Sequence, residues 1–318
     1  TPGGARNFLV PSRLNPGQFY ALAESPQIFK QLLMVAGMDK YFQICRCFRD
    51  EDLRNDRQPE FTQIDVEISY ATPARVQAPI EALIRRSWLD ILGVELPAEF
   101  PRLTWAEAMA RFGSDKPDIR FGLEFVDLTD LVRDSGFRVF TDAAHVKAIC
   151  VPAEHAEPLS RGRLDKLTDL VKKRESGGAK GLAWARVGEG GVWNSPLTKN
   201  LSPAIMAAIT ARADAKPGSV LLIIADNFHT THQALGALRL ELRDSLDLVA
   251  KAGKSPWQFL WVTDFPLFEK TDKGYVSSHH PFTSPRVEHI PLLDTDPSQV
   301  LAQAYDLVLN GNEIGGGS

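Results

Sequence analysis

The sequence predicts an α+β protein in which an antiparallel core is interrupted by a second α+β domain. Three observations carry this expectation. Two strand-like runs, residues 41–48 (YFQICRCF) and 61–70 (FTQIDVEISY), flank a polar loop as the arms of a hairpin. Helices with recognisable ends precede and follow them. A composition shift at residues 114–118 (SDKPD) then opens a region, from about 121 to 245, where short strands alternate with helices.

The elements follow in order. Ser25 supplies an N-cap, Pro26 a first helical residue and Gly37 a residue just past the end, with Ile28, Leu32 and Val35 recurring between them at helical spacing. Phe29 and Leu33 stand beside that repeat. Thr72-Pro73 opens a second helix running towards Gly93 and bent at Pro79. Thr104 and Glu107 form a capping box for a short third helix ending at Gly113. In the second arm of the hairpin Ile64, Val66 and Ile68 share one face, and Gln63, Asp65 and Glu67 share the other. Such an acid–amide face either meets bulk water, its commoner fate, or lines a polar pocket. The connecting loop, residues 49–60 (RDEDLRNDRQPE), reads alone as a solvated charge run, but loops this long in compact domains tend to be functional.

In the inserted region, strands are expected over 146–151, 181–187 and 220–225, and helices over 163–173, 204–212 and 231–243. Ser202-Pro203 caps the middle helix, and residues 251–256 make a return linker. A further strand is expected over 258–262. Residues 306–314 give the clearest hairpin signal: Asn310-Gly311 suits a type I′ turn, pairing Leu309 with Asn312 and Val308 with Glu313. Asp306 then shares a face with Glu313, diagonally across the ladder at roughly 7–8 Å. Like charges held this way call for a cation or ligand. Mg²⁺ takes one or two carboxylates together with substrate phosphates. An exposed acidic hairpin is the alternative.

Composition narrows the classes. The 318 residues suffice for about two domains of roughly 100–200 residues each. No run approaches the ~18 apolar residues of a membrane-spanning helix, and no signal peptide is visible. Three cysteines cannot form a disulfide framework, which points to a reducing, cytoplasmic setting. A net charge of -4 argues against wholesale coating of nucleic acid, though not against a local basic site. The chain opens at Thr1 rather than Met and closes on GGGS in continuation of a strand-like run, so it reads as a piece of a longer protein.

Several motifs are set aside. Residues 176–181 (SGGAKG) lack phosphate-loop spacing and read as a turn. His229 and His232 lie one helical turn apart without further zinc ligands and read as a surface pair. Cys45 and Cys47 share a strand face as small core hydrophobes. No Gly-x-Ser-x-Gly elbow occurs. Of the adjacent His279 and His280, at most one can face a given ligand, and a polar loop capped by Pro281 is the competing reading.

Residues 48–63 (FRDEDLRNDRQPEFTQ) resemble motif two of the class II aminoacyl-tRNA synthetases, specifically the bacterial-type aspartyl-tRNA synthetases. Residues 25–31 (SPQIFKQ), 279–285 (HHPFTSP) and 305–318 (YDLVLNGNEIGGGS) agree with that family, and 119–248 resembles its GAD insertion domain. The resemblance covers essentially the whole chain. It implies a class II synthetase-like core, a six-stranded antiparallel sheet flanked by helices. The core comes in two parts, residues 1–118 and 249–318, around a GAD-like α+β insertion at 119–248. It also implies a homodimer that uses ATP, Mg²⁺, L-aspartate and tRNA(Asp), making aspartyl-adenylate and passing the aspartyl group to the terminal adenosine.

The same resemblance distributes roles. Arg49 is the catalytic residue, holding the α-phosphate and the attacking carboxylate together. Asp50, Glu51 and Gln58 join it at ATP, while Asp306 and Glu313 bind Mg²⁺ and phosphates. Gln27, Lys30, Gln63, Asp65 and His279 surround the amino acid, with Lys30 reading its side-chain carboxylate. Glu51, Arg54 and Arg57 meet the tRNA, and the two arginines could serve the ATP tail instead.

Some residues depart from the family pattern. Gly3 stands where the family has a glutamate that pairs with the substrate's α-ammonium. Ala23-Glu24 replaces Pro-Gln, which makes Glu24 a candidate for that acid's role, and Asn55 replaces an alanine. The anticodon-binding domain and motif one are expected before Thr1, and the arginines for the ATP tail and for aspartate after Ser318. The isolated piece is therefore expected to fold incompletely and activate aspartate poorly. Two rivals stay open: a relaxed ligase that also charges tRNA(Asn), and a non-catalytic binding module derived from a synthetase.

Overall fold

The computed structural model describes residues 6–51, 57–280 and 282–318. The chain forms two compact units: Thr1–Phe100 with Phe265–Tyr305 and Gly317–Ser318, and Pro101–Asp264 with Asp306–Gly316.

In the first unit β1 (Leu9–Pro11) pairs antiparallel with β2 (Phe19–Ala21). Helix α1 (Gln27–Val35) begins with Pro26 in the cap position rather than inside the helix, and Ser25 Oγ accepts the Gln27 N–H at 3.4 Å. Gly37 closes it at φ +93°, a conformation that favours glycine. Strands β3 (Lys40–Phe48) and β4 (Glu60–Ile68) form the expected hairpin, in register from Lys40↔Ile68 to Phe48↔Glu60. Tyr41, Gln43 and Cys45 therefore stand opposite Glu67, Asp65 and Gln63. Helix α2 (Pro73–Ser87) continues through Pro79, whose missing N–H removes one backbone bond, and ends in a π turn at Gly93.

The apolar residues of α1 are not its buried face. Ile28, Phe29, Leu32 and Val35 are exposed, and the one buried residue of the helix is Lys30. Ile44 and Ile64 on the hairpin are exposed as well. The cause is the acid–amide face of β4, which draws the Lys30 ammonium inward. The bulk-water fate of that face is not the one adopted.

In the second unit β5 (Arg102–Thr104) leads into α3 (Trp105–Phe112) through the expected capping box. Thr104 Oγ1 accepts the Glu107 N–H at 3.1 Å, and the Thr104 N–H donates to Glu107 Oε2 at 2.8 Å. Gly113 then turns the chain at φ +67°, where a Cβ would lie 2.2 Å from the His232 carbonyl oxygen. A five-stranded antiparallel sheet follows: β6 (Phe125–Asp127), β7 (His145–Val151), β8 (Ala183–Val187), β9 (Trp193–Asn194) and β10 (Val220–Asp226). Their order is β6-β7-β10-β8-β9. The central β10 alternates between two cores. Val220, Leu222 and Ile224 pack with Leu164 and Leu167 of α4 (Arg161–Lys172) and Leu235 and Leu238 of α6 (Phe228–Ser245). Leu221 and Ile223 pack with Trp193 and with Ile209 of α5 (Pro203–Arg212). Strands buried on both faces read as continuous apolar runs, as VLLII does here.

One histidine departs from the surface pair expected at 229 and 232. His229 is exposed, but His232 is buried, with Nδ1 2.6 Å from the Phe228 carbonyl oxygen and its ring 4.1 Å from that of Phe228. The α6 face carrying His232 also carries Leu235, Leu238 and Leu242, and this apolar stripe takes the imidazole inward.

After β11 (Phe259–Thr263) the chain adds a small hairpin to the first unit, β12 (Phe268–Thr271) with β13 (Gly274–Ser277). Finally β14 (Tyr305–Leu309) turns through Asn310 (φ +54°) and Gly311 (φ +85°) into β15 (Asn312–Gly317), both φ signs being those of a type I′ turn. These strands form a four-stranded sheet in the order β15-β14-β11-β5. It differs from the expected six-stranded antiparallel sheet in two ways. Trp261 to Thr263 pair parallel with Arg102 to Thr104, and β3–β4 is a separate two-stranded sheet among the described residues. The parallel pairing is possible because a whole domain separates β5 from β11, far more than the crossover such pairing requires. The core is thus α+β with mixed and antiparallel sheets. No described helix is long and apolar enough to cross a membrane.

Candidate functional site

The inward polar face of the β3–β4 hairpin is the centre of the candidate site. Lys30 Nζ lies 2.6 Å from Asp65 Oδ1 and 3.1 Å from Glu67 Oε2. Burial by itself lowers the pKa of the Lys30 ammonium, but the Asp65 hydrogen bond and the charges of Asp65 and Glu67 outweigh it and carry the group above its ordinary value. One cation between two carboxylates leaves a formal charge of about -1. A further cationic group is the chemistry that would complete it.

Gln63 sits on the same face, where its Oε1 accepts from Cys47 Sγ at 3.2 Å. Cys45 and Cys47 are both buried on this side of the strand with their sulfurs 3.7 Å apart. Burial first, then the Cys45 contacts, push the Cys47 thiol up to about 11, so it stays protonated and acts as a small buried donor. Gln27 is partly buried in the first turn of α1, one turn before Lys30.

Arg49 follows β3 directly. Its backbone N–H donates to the Pro59 carbonyl at 2.9 Å, which closes the base of the charged loop. Its guanidinium carbon lies 5.2 Å from the centre of the Phe61 ring, and its Nε is buried with no hydrogen-bond partner among the described residues. A buried unpaired guanidinium N–H is costly in water-poor surroundings and suits an anion. Asp50 donates its N–H to the Arg6 carbonyl at 2.9 Å and is exposed, as are Gln58, Glu51 and Arg57. Glu51 and Arg57 pair with each other at 3.4 Å. Gly3, Arg54, Asn55 and Pro281 lie outside the described residues.

His279 packs edge-on against Phe265 at 5.4 Å, its Nε2 is buried without a hydrogen-bond partner among the described residues, and burial holds it below the usual histidine range. His280 instead uses Nδ1 to accept the Phe282 N–H at 3.2 Å. The adjacent pair thus divides as alternation requires. Glu24, singled out by its departure from the family pattern, is 6% exposed, and its Oε2 has no hydrogen-bond partner among the described residues.

In the second unit, Asp306 is raised to about 7, first by burial and then by the negative charges of Glu313 and Asp115. Glu313 is exposed beside it on β15. Crowded carboxylates of this kind fit a hard divalent cation, which would remove their repulsion. No group of three or more such ligands occurs among the described residues, so a metal here would draw its remaining ligands from substrate or water.

A family model described as tRNA synthetases class II (D, K and N) matches residues 1–318. The chain is 51% identical over 320 residues to an aspartate–tRNA(Asp/Asn) ligase of Oleidesulfovibrio alaskensis, covering 100% of this chain and 51% of that protein. It is 52% identical over 324 residues to an aspartate–tRNA ligase of Lysinibacillus sphaericus, covering 100% of this chain and 54% of the relative. An aspartate–tRNA(Asp/Asn) ligase of an Anaeromyxobacter species is 50% identical over 329 residues, again with 54% of its length covered. The chain spans about half the length of these curated relatives.

Proposed function

The chain belongs to the class II tRNA synthetases of the D, K and N group, and from that premise we propose that it is the central part of an aspartate–tRNA ligase. The observation that carries this reading is Lys30, a buried ammonium on a polar strand face, in the same unit as an arginine whose Nε is buried with no hydrogen-bond partner among the described residues. An amino-acid activating site needs both, a cation to read a side-chain carboxylate and a cation at the reacting anions.

In the proposed reaction the α-carboxylate oxygen of L-aspartate attacks the α-phosphorus of ATP, forming the mixed anhydride and releasing pyrophosphate. A hydroxyl of the terminal adenosine of tRNA(Asp) then attacks the aspartyl carbonyl, forming the ester and releasing AMP. Arg49 bridges the two anions that repel each other on approach and gains strength as charge builds on the α-phosphate. Asp50, Glu51 and Gln58 hold the nucleotide beside it. Gln27, Gln63, Asp65 and His279 orient the amino acid. His279 is neutral by burial, so it can accept or donate one hydrogen bond without adding charge.

Lys30 sets specificity. Its ammonium offers the aspartate carboxylate a charge-assisted contact that the neutral amide of asparagine cannot match. Because Asp65 and Glu67 already hold Lys30, selectivity for aspartate needs a second cation at that cluster. Asp306 and Glu313 are the residues that would hold Mg²⁺, which when bound neutralises the nucleotide phosphates. Arg54 and Arg57 are assigned to tRNA phosphates. Arg57 must leave Glu51 to reach them. We further assign residues 119–248 as a GAD-like insertion between catalytic parts 1–118 and 249–318, and the whole protein as a homodimer.

The test is ATP–pyrophosphate exchange with each amino acid in turn, on the full-length protein. Exchange with aspartate alone supports the reading; ATP binding without exchange for any amino acid replaces it with a binding module. Charging of tRNA(Asn) as well is a second reading. Relatives named aspartate–tRNA(Asp/Asn) ligase and aspartate–tRNA ligase are 51% and 52% identical to the chain, so their names do not separate the two readings. Charging assays on the two tRNAs separate these.

A further inference from the structure

The type I′ turn at Asn310-Gly311 is held from outside its own hairpin. Such a turn asks only for positive φ at its two central residues, which glycine meets as readily as asparagine. The Asn310 side chain does more. Its Oδ1 accepts the Gln258 N–H at 3.1 Å and its Nδ2 donates to the Pro256 carbonyl at 2.7 Å, while the Asn310 N–H donates to the Gln258 carbonyl at 3.2 Å. The acceptor and the donor of the amide are thus both used on the stretch that connects α6 to β11, which fixes the orientation of the amide. Beside it, a Cβ at Gly311 would lie 3.2 Å from the Asp118 Cβ, so the turn also rests against the stretch that connects α3 to β6.

These two connecting stretches are themselves tied down. Lys254 Nζ donates to the Ile119 carbonyl at 3.0 Å, joining one to the other. Arg239 of α6 is 2% exposed and donates to the carbonyls of Asp118, Phe121, Gly122 and Leu123 at 2.8–3.2 Å, with its guanidinium carbon 4.0 Å from the centre of the Phe121 ring. The Asp118 carboxylate accepts in turn from Arg120 and Arg243. All of these residues share one compact unit with the hairpin. Strand β15, which carries Glu313, is an edge strand paired in its sheet with β14 alone, so the anchored turn adds a constraint on where Glu313 stands. Among the charges acting on Asp306 are those of Asp115 and Lys116, in the α3–β6 stretch.

We infer that Asn310 is a positioning residue for the Mg²⁺-bound nucleotide: it anchors the β14–β15 hairpin to the connections of segment 119–248, so that this segment sets where Asp306 and Glu313 stand. This rests on the reading above that the two carboxylates hold Mg²⁺ with ATP, and it adds a role for the segment between the catalytic parts. Mg²⁺ demands near-ideal octahedral geometry, so two carboxylates on neighbouring strands serve it only if their spacing is held. Asp306 and Glu313 repel each other, and that repulsion acts to spread the strands that carry them. A hairpin pinned at its turn resists the spreading. Arg239 and Asp118 act one step behind, by holding the stretch against which Gly311 rests.

The experiment uses the full-length protein and Asn310→Gly, which keeps the positive φ of the turn and deletes the side-chain anchor. Calorimetry reads Mg²⁺·ATP binding, and exchange kinetics give KM for Mg²⁺·ATP and for aspartate. The variant is expected to bind Mg²⁺·ATP about 3–10-fold more weakly, the net weight of one hydrogen bond, with the aspartate KM unchanged. In an Asp306→Asn background the same substitution is expected to change Mg²⁺·ATP binding no further, a coupling that a merely structural role would not produce. Equal Mg²⁺·ATP affinity in wild type and Asn310→Gly, an equal rise in both KM values, or an undiminished effect in the Asp306→Asn background overturns the inference. If Asn310→Gly fails to fold, as read by its thermal midpoint, Lys254→Met, which cuts the tie between the two stretches, takes its place and is judged by the same pattern. A wild type that binds Mg²⁺·ATP without aspartate-dependent exchange counts against the proposed function alone, and calorimetry then still judges Asn310. A wild type that binds no Mg²⁺·ATP overturns both.

Discussion

Lys30 Nζ and Asp65 Oδ1 meet at 2.6 Å across 35 residues of sequence, and the same ammonium holds Glu67 at 3.1 Å. A helix otherwise lined with exposed apolar side chains is therefore anchored through its one buried cation. This contact orients α1 and the polar face of the β3–β4 hairpin together.

Removing the cation leaves two carboxylates facing each other with no counter-charge. Lys30→Met is expected to lower stability by about 3 kcal/mol, the low end for breaking a buried pair, because Glu67 keeps some water access. Adding Asp65→Asn to that variant removes one of the stranded charges and is expected to recover part of the loss. Urea denaturation of the two single variants and the double variant measures this. Strictly additive losses would show that the contact does not couple the two elements.

Arg49 leads to a prediction about charge geometry. Its guanidinium stands over Phe61 with Nε buried, an arrangement a lysine ammonium cannot reproduce. Arg49→Lys is expected to reduce aspartate-dependent exchange about 100-fold or more, mainly in kcat, with little change in thermal midpoint. Retention of most exchange activity by the lysine variant would remove Arg49 from the reacting centre.

The parts of this molecule that could be read beforehand are those fixed by neighbours in sequence. The Thr104–Glu107 capping box, the Asn310-Gly311 turn and the pairing of 41–48 with 61–70 each depend on a few adjacent residues and formed as expected. Alternation in FTQIDVEISY reveals that two faces exist but not which one turns inward. That choice depends on Lys30, which meets the strand only in three dimensions. The same holds for His232, whose helical spacing from His229 carries no information about the core it enters. The parallel pairing of Trp261 with Arg102 depends on residues separated by an entire domain. The burial of Glu24 is hidden for a further reason: a lone acid before a helix ordinarily reads as a solvated one.

Asp118 makes the second unit sensitive to acid. Its carboxylate is fully buried and accepts from Arg120 at 2.7 and 3.0 Å and from Arg243 at 3.3 Å. Burial pushes its pKa up, but the Arg120 hydrogen bonds and the two arginine charges bring it below the ordinary carboxylate value. A group depressed in the folded state contributes stability above its unfolded pKa, about 3.9, and loses it as pH falls through the folded value. Wild-type stability is thus expected to fall below about pH 4. Asp118→Asn should be less stable at pH 7 and show a flatter acid limb. Denaturant midpoints between pH 3 and 7 measure this, and parallel curves for the two proteins would contradict it.

Asp306 and Glu313 make the final prediction, about metal. Their mutual repulsion on the β14–β15 hairpin is unfavourable in the protein alone, so Asp306→Asn is expected to hold or raise the thermal midpoint without metal. With Mg²⁺ and ATP the order should reverse. The wild type gains a midpoint increase that grows with ligand concentration, as binding to the folded state requires, and the variant gains little. Glu313→Gln should weaken the Mg²⁺ effect less, because Glu313 is the more exposed of the two and can be replaced by water. Thermal unfolding across a Mg²⁺ titration, at fixed ATP, reads all three proteins in one format. Equal metal-dependent increases in wild type and Asp306→Asn would leave the hairpin as an acidic surface feature and move the metal elsewhere.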